Sequence, residues 1–127
     1  MAKAERRRKA TRLPAQVSAA VAAAEDKQAH DLVVLDLRSA AGFTDFFVIC
    51  SGTNQRQIRA IADAVMETLA KSGAKPAHVE GYDRSEWVLI DYFDFIVHVF
   101  ARETRLFYGL ERLWGNAERI ELEPAPR

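Results

Sequence analysis

Two apolar runs in the second half of the chain, residues 87–90 and 95–100, constrain the fold more than any other feature. Both have the composition of β-strands, and only residues 91–94 separate them, so the pattern predicts a β-hairpin. The predicted turn carries Tyr92 and Phe93 at positions where turns usually have Gly, Asn or Asp. Two large aromatic side chains at an exposed turn indicate a surface that contacts another macromolecule.

The remaining sequence predicts three helices and three further strands around this hairpin. Apolar residues at helical spacing indicate the helices, and short continuous apolar runs indicate the strands. The order α-β-β-α-β-β-β-α predicts an α/β (α+β) fold in which helices flank a mixed sheet of about five strands. The helices are predicted over residues 15–28, 54–73 and 101–115, and the further strands over residues 32–35, 46–50 and 78–82.

The predicted helices have recognisable ends. Thr53 or Asn54 is a suitable N-cap for the second helix, and Gly73 suits its C-terminal end. The third helix contains Gly109, which is unfavourable inside a helix. This helix is predicted to place five apolar residues on one side: Leu106, Phe107, Leu110, Leu113 and Trp114.

A chain of 127 residues suits one domain, and the sequence divides into a folded unit and two ends. Residues 14–115 form the single predicted domain. Residues 1–13 form a basic arm that we expect to be disordered. Residues 116–127 contain two prolines and form a tail that we expect to be frayed.

The formal net charge of zero conceals an uneven distribution. Residues 1–12 contain six basic side chains and one acidic side chain, whereas the other 115 residues contain 12 basic and 17 acidic side chains. The arm has two interpretations: a solvated tail, or a phosphate-binding arm that adds salt-sensitive affinity for nucleic acid. The acidic remainder argues against a protein whose folded surface follows a nucleic-acid duplex.

The sequence predicts no membrane-spanning or secretory segment. No apolar run approaches the roughly 20 residues that cross a bilayer, and no apolar segment of a signal peptide follows the basic arm. We therefore expect a cytoplasmic protein without membrane contact. The single cysteine, Cys50, lies in an apolar strand, where a buried and unreactive thiol is expected.

Three groups of residues are candidates for catalysis or ligand binding. Residues 51–54 join a strand to a helix, an arrangement that suits an anion and equally suits any tight turn. His98 fits a hydrogen-bonded residue in or near the core, a partner contact or a catalytic group. Glu80, Asp91 and Asp94 are carboxylates of the kind that metal-assisted reactions use, but their spacing does not bring them together.

None of these groups has the spacing of a known catalytic motif. The turn contains one glycine and no Gly-Lys-Ser/Thr sequence, which excludes a P-loop. No Cys or His pair has the spacing of metal ligands, and no nucleophile elbow occurs. We therefore predict no enzyme activity, no metal and no cofactor.

Aromatic and arginine side chains, which are enriched in interfaces, favour a partner-binding protein. Trp87 lies in the hairpin with Tyr92 and Phe93, and its alternative role is burial at the sheet edge. For the arginines of the last helix, the alternative is a solvated polar face. That helix places three candidates on one face by their i, i+3 and i+7 spacing: Arg105, Tyr108 and Arg112.

Longer segments of the chain resemble one protein family. Residues 45–53, Asp-Phe-Phe-Val-Ile-Cys-Ser-Gly-Thr, resemble its signature for a strand and the turn that follows. Further matching segments are 59–63, 80–81, 87–91, 94–100 and 105–114. Over about residues 15–114 the chain resembles the ribosomal silencing factors of the Iojap family.

The resemblance implies a function that the residues alone do not. Such factors bind the large ribosomal subunit through large-subunit ribosomal protein fourteen, on the face that meets the small subunit. A bound factor obstructs subunit association and lowers translation when nutrients are scarce, and organellar relatives act in large-subunit assembly. The resemblance also implies a nucleotidyltransferase-like topology and a homodimer in the free state.

The resemblance also implies which residues contact the ribosome. Trp87 and Tyr92, the residue after Asp91, occupy positions that belong to the ribosomal contact in the family. We therefore expect Trp87 and Tyr92 to be apolar anchors. For the basic arm, a contact with ribosomal RNA is the functional alternative to a solvated tail. The expected rim residues are Phe93, Arg105 and Tyr108, and Asp91 is also expected in the contact, next to Tyr92.

Two residues depart from the family pattern. Asn54 replaces the usual serine after Gly-Thr, and Phe93 replaces the usual glycine before the second aspartate of the hairpin. If position 93 requires a positive φ, loss of glycine removes backbone freedom and changes the turn.

A nucleotidyltransferase-like enzyme is one alternative function, although no closely spaced acidic pair follows Gly52-Thr53 on a strand. A large-subunit assembly factor and a dimeric scaffold are the others.

Overall fold

The computed structural model describes residues 13–120 and residue 122. The predicted basic arm therefore lies outside the described residues, except for Leu13. The assignment of Leu13 to a disordered arm is wrong, because its side chain is only 8% exposed and joins the same apolar core as Val17.

Six strands form one sheet in the order β3-β4-β5-β2-β1-β6. β2 and β5 are parallel neighbours at its centre, and the other neighbouring pairs are antiparallel. The predicted mixed sheet with flanking helices is thus confirmed. The strands are β1 (His30–Asp36), β2 (Phe46–Gly52), β3 (His78–Glu80), β4 (Trp87–Asp91), β5 (Phe95–Ala101) and β6 (Glu118–Ile120). The helices are α1 (Ala15–Asp26), α2 (Gln55–Lys71), α3 (Arg102–Tyr108) and α4 (Leu110–Leu113).

The two faces of the sheet are covered to different extents. α1 and α2 pack on the first face, where the apolar stripe of α2 is buried against side chains such as Val48, Val97 and Ile90. This is the larger core, and it forms because α2 carries apolar residues at helical spacing. The second face holds a smaller core around Phe47, Ile49 and other residues, against which Leu110 of α4, Trp114 and the β1–β2 connection pack.

The predicted β-hairpin is confirmed, since β4 and β5 pair in antiparallel register with Trp87 opposite Phe100. The expected exposure of both turn aromatics is wrong for Tyr92. Its ring is 7% exposed and stacks on Phe95 with 5.0 Å between the ring centroids, because the turn directs it into the first-face core. Phe93 does project into solvent and is 73% exposed.

The predicted helix over residues 101–115 is interrupted. Gly109 has a left-handed conformation with φ of 57°, which ends α3 and begins α4 in a new direction. The predicted apolar side is consequently divided. Leu110 and Trp114 pack on the second face of the sheet, whereas Leu106, Phe107 and Leu113 are exposed.

The expectation of a frayed tail is wrong for residues 118–120, which form β6 beside β1. Val34 pairs with Ile120 across this edge, and Ile120 is buried. The segment is ordered because it satisfies the outer backbone groups of β1 while burying one apolar side chain. This strand brings the sheet to six strands rather than five.

Candidate partner-binding surface

A continuous row of aromatic rings crosses the second face of the sheet. Neighbouring ring centroids in this row lie between 4.5 and 6.2 Å apart. Such spacing is typical of interacting aromatic pairs. We call this set the aromatic row; in order across the face it contains Phe107, Tyr108, Trp87, His98, Phe47, Trp114 and Phe43.

Trp87 takes its place in the row from strand alternation. Val88 and Ile90 point into the first-face core, so Trp87 and Leu89 face the opposite side, where both are half-buried. The indole ring stacks on Phe100 at 4.9 Å between centroids. It is therefore partly accessible and fixed in position, as an interface anchor needs to be.

His98 lies beneath Trp87 and fixes its orientation. The Trp87 Nε1–H donates a hydrogen bond to His98 Nδ1 over 3.0 Å. Burial lowers the pKa of His98 to about 3, so the imidazole is neutral at physiological pH and Nδ1 is free to accept. The interpretation of His98 as a hydrogen-bonded core residue is confirmed.

The two ends of the aromatic row are open to solvent. Phe107 is 79% exposed, Tyr108 is 52% exposed, and Phe43 at the other end is 57% exposed. Beside Trp87 and Tyr108 the surface forms an open cleft of about 540 Å³. Exposed aromatic rings that lie together, as those of Phe107 and Tyr108 do, are typical of interaction sites in soluble proteins.

One wall of this cleft is formed by the β3–β4 connection, which sequence reasoning did not identify. Gly81 has φ of 79°, and a Cβ atom there would lie 2.0 Å from the Trp87 carbonyl oxygen, so only glycine fits. Arg59 of α2 fixes the rest of the connection, since Nε donates to Ser85 Oγ and Nη2 to the Asp83 carbonyl, both over 2.7 Å. The Glu80-Gly81 pair was the available sequence signal.

The turn of the hairpin is anchored to the β1–β2 connection. Thr44 Oγ1 donates a hydrogen bond to the Phe93 carbonyl over 2.8 Å. The Asp91 carboxylate accepts from the Phe93 backbone N–H over 2.8 Å, so it stabilises the turn from within. Phe93 has φ of 69°, a conformation in which bulky residues are rare.

Arg105 is not at the surface, contrary to its expected role at the rim. It is 9% exposed and donates three hydrogen bonds: Nε to Glu111, Nη1 to Ser51 Oγ and Nη2 to the Asp31 carbonyl. The hydrogen bond from Arg105 lowers the pKa of Glu111. Arg105 therefore connects α3 to β1, β2 and α4. Tyr92 has a similar internal role, because it connects the hairpin turn to the first-face core.

The turn at residues 51–54 is occupied by contacts within the protein. Asn54 is the N-cap of α2, and its Oδ1 accepts from Gln57 N over 2.8 Å. The Thr53 N–H and hydroxyl donate to Gln57 Oε1. A Cβ atom on Gly52 would lie 2.8 Å from Ile58 Cγ1, so close packing of α2 explains the glycine. These contacts favour the structural interpretation of the turn over an anion site.

The other catalytic candidates are not brought together. Glu80 pairs in register with Leu89, and Asp91 with His78, on the neighbouring strands β3 and β4. Across residues 13–120, no three His, Cys, Asp or Glu side chains form a group that could hold a metal ion.

Cys50 is buried, and this burial raises the pKa of its thiol to about 12. None of the helices in the described ranges has the length and apolarity to cross a bilayer.

Comparisons with known proteins give a consistent result. The family described as "Ribosomal silencing factor during starvation" matches residues 10–127. "Ribosomal silencing factor RsfS" of Halalkalibacterium halodurans is 41% identical over 104 residues, which cover 82% of this chain and 89% of that protein. "Protein Iojap, chloroplastic" of Zea mays is 40% identical over 106 residues, covering 84% of this chain and 46% of that longer protein.

A more distant relative and a solved structure extend the comparison. The mouse "Mitochondrial assembly of ribosomal large subunit protein 1" is 32% identical over 91 residues, covering 69% of this chain and 40% of that protein. A crystal structure of a Chromobacterium violaceum protein superposes with a TM-score of 0.77 at 32% identity, covering 79% of this chain and 83% of that one. The chain belongs to the ribosomal silencing factor family, which includes the RsfS and Iojap proteins.

Proposed function

We propose that this protein binds the large ribosomal subunit and prevents the small subunit from joining it. The observation that carries the proposal is the aromatic row, which leaves apolar side chains accessible on one sheet face of a ribosomal silencing factor. The proposed partner on the large subunit is large-subunit ribosomal protein fourteen. No chemical step is needed, because occupation of the joining face is sufficient for inhibition.

The proposed contact surface centres on the accessible end of the aromatic row. Trp87 and Tyr108 lie 4.8 Å apart by ring centroids and provide the apolar anchors, with Leu89 beside them. Phe107 and Phe93 extend the contact, since their rings are the most exposed in the described chain. An interface of about 800 Å² on each partner is ordinary for a stable complex and feasible for a domain of this size.

Three expected contact residues have indirect roles in this proposal. Tyr92 and Arg105 are buried, so they position the hairpin and α3 and do not meet the partner. Asp91 likewise acts through the turn that presents Phe93, because its carboxylate accepts the Phe93 N–H.

The experiment is co-sedimentation of the protein with separated large and small ribosomal subunits. We expect binding to the large subunit alone, and loss of an anchor in Trp87→Ala or Tyr108→Ala should weaken it about thirtyfold, the effect of a typical hot-spot residue. Arg56→Ala with Lys75→Ala is the control, because both side chains are exposed and neither lies on the aromatic row. Equal weakening by the control, or equal binding to both subunits, would contradict the proposal.

Inhibition of subunit joining is tested separately. Light scattering of purified subunits should report slower association when the wild-type protein is in excess, and an ordinary rate with Trp87→Ala. Circular dichroism of the variant checks that its fold is retained. Association at one rate with and without the wild-type protein would exclude a steric mechanism, even if binding were observed.

A role in large-subunit assembly is the second candidate, because the name of the mouse relative assigns that role to that protein. Both functions use the same surface and differ in the particle that is bound. Gradient analysis of cells that lack the protein separates them. Accumulation of immature large subunits supports assembly, whereas normal subunits with persistent translation during starvation support silencing.

We further propose that the free protein is cytoplasmic and dimeric. A second copy would cover exposed apolar residues such as Leu106 and Leu113, which are 71% and 69% exposed. Light-scattering mass measurements on the wild type and on Leu106→Ser test the dimer. A monomeric wild-type protein at micromolar concentration would contradict this part.

A further inference from the structure

A second surface feature, distinct from the aromatic row, is an open cleft of about 690 Å³ beside the break between α3 and α4. Four arginines from three parts of the chain line it: Arg102 and Arg105 of α3, Arg112 of α4 and Arg119 of β6. These are four of only 12 basic side chains among residues 13–127, which also contain 17 acidic ones. The cleft is therefore a local concentration of positive charge on an acidic body.

The acidic side chains in the cleft do not cancel this charge. Glu111 lies within 2.9 Å of Arg105 and 3.4 Å of Arg119, and the pKa of Glu111 is lowered by the first of these contacts. Asp31 is the other acidic residue in the lining. Four guanidinium groups and two carboxylates leave a formal charge of +2 in the cleft.

Arg102 and Arg112 are the arginines available to a ligand. Both are exposed, and within the described part of the chain no carboxylate lies within 4.0 Å of either guanidinium. The Arg112 side chain lies over Gly109, where an added Cβ atom would be 2.7 Å from its Nη2. Glycine leaves this space for the guanidinium, and Arg112 Nη2 donates to the Leu106 carbonyl over 3.5 Å, which positions Arg112 at the cleft.

The lining of the cleft also limits what the ligand is. Guanidinium groups match phosphate oxygens in geometry and charge. Besides its charged residues, the lining consists of Ser51, Leu106 and Gly109, so it contains no aromatic ring on which a nucleotide base could stack. An open, charged and non-aromatic cleft can contact the backbone phosphates of a nucleic-acid strand without binding its bases, whereas a free nucleotide would lose the stacking of its base.

We infer that this cleft binds backbone phosphates of an RNA strand through Arg102 and Arg112. On the ribosome the strand is ribosomal RNA next to the protein contact, and this part rests on the proposed function. α3 carries Tyr108 and Arg102, so one helix would serve both contacts. The cleft would add affinity that depends on salt, whereas the aromatic row would add affinity that does not.

The experiment measures binding of the full chain to a short single-stranded RNA and to purified large subunits at several salt concentrations. Each lost phosphate contact lowers the slope of log affinity against log salt by about 0.7–0.9. Arg102→Gln with Arg112→Gln should therefore lower the slope by about 1.5. The advantage of wild type over this variant should shrink about eightfold between 50 and 200 mM salt.

The matched control is Arg56→Gln with Lys75→Gln, which removes two exposed positive charges away from the cleft. An equal effect of the control on the slope would overturn the inference, since it would show only a response to net charge. Binding of GTP as tight as binding of RNA would overturn the assignment to a strand. If wild type fails to bind large subunits but shows the cleft effect on free RNA, the proposed function fails and the cleft assignment stands.

Discussion

Trp87 and His98 are joined across antiparallel strands by a hydrogen bond of 3.0 Å from the indole Nε1–H to the imidazole Nδ1. This bond requires a neutral imidazole whose proton is on Nε2. The proposed anchor of the partner surface therefore depends on the protonation state of a buried group. Protonation of His98 would remove the acceptor and place a charge under the aromatic row.

Stability should fall as the pH decreases below about 6.5. The pKa of His98 is about 3 in the folded protein and 6.5 ordinarily, so the unfolded chain binds the proton first. The free energy of unfolding is then highest above pH 6.5 and declines by up to about 1.4 kcal/mol per pH unit on acidification towards pH 3. Urea unfolding between pH 6.5 and 5 measures this decline.

His98→Gln is the control for this prediction, because it keeps an acceptor for Trp87 and removes the titration. Its stability should change much less over the same range. Asp36 and Glu111 are carboxyl groups whose pKa is lowered from ordinary values of 3.8 and 4.5. Both therefore titrate below the range between pH 6.5 and 5. Identical declines in wild type and variant would show that another group is responsible.

Phe93→Asn should stabilise the protein and weaken its binding to the large subunit. Phe93 adopts a φ of 69°, which asparagine tolerates better, and its exposed ring contributes little to the core. We expect a gain of about 0.5–1 kcal/mol in the free energy of unfolding. Phe93→Ala also removes the ring but keeps the unfavourable conformation, so it should not be stabilising. Unchanged binding in both variants would remove Phe93 from the proposed contact.

Arg105→Ala should destabilise the protein by about 3 kcal/mol, the cost of breaking a largely buried ion pair with its hydrogen bonds. The change leaves Ser51 Oγ and the Asp31 carbonyl without the donor that they have in the structure. Arg112→Ala in the neighbouring helix is the control and should change stability by less than about 0.5 kcal/mol, because its side chain is exposed. Chemical unfolding compares the two, and equal effects would contradict a structural role for Arg105.

Tyr92→Phe should leave binding to the large subunit unchanged. The Tyr92 hydroxyl is buried and has no hydrogen-bond partner among the described residues, so its removal should cost nothing or stabilise by up to about 1 kcal/mol. Thermal unfolding and co-sedimentation measure the two effects. A large loss of binding without a loss of stability would return Tyr92 to the contact surface.

Deletion of residues 1–12 should make binding to the large subunit less dependent on salt. This segment has six basic side chains and one acidic one, so a contact with ribosomal RNA would release several counterions. Affinity measured from low to high salt gives the slope for the full and shortened chains. An unchanged slope would reject an RNA contact by the arm.

The sequence predicted the elements that have long and regular patterns. The hairpin followed from two apolar runs, and α2 followed from its apolar spacing and its N-cap. β6 could not be predicted in this way, because a segment of three residues shows no periodicity. It is a strand because it pairs with the edge of β1. The break in the last helix had a signal in Gly109, but its spacing alone did not distinguish a tolerated glycine from a terminating one.

The surface was less predictable, because side-chain exposure depends on distant contacts. Phe93 projects outwards and Tyr92 projects inwards because Thr44 donates a hydrogen bond to the Phe93 carbonyl and so fixes the turn. Thr44 lies 49 residues before Phe93 in the sequence. Arg105 is buried by Ser51 and Asp31, which lie 54 and 74 residues away. Tyr92 and Phe93 are neighbours in one motif, yet one is buried and the other is exposed. The resemblance to the family did not distinguish them.

Both margins of the sheet are three-residue strands, β3 on one side and β6 on the other. An incoming strand would find only a few free backbone groups at either margin, so extension of the sheet by another chain is a weak route to association. Recognition in the proposed complex then depends on side chains, and side chains are replaced by single mutations while backbone groups are not. The specificity of the proposed contact is therefore open to change by a few substitutions that leave the sheet intact.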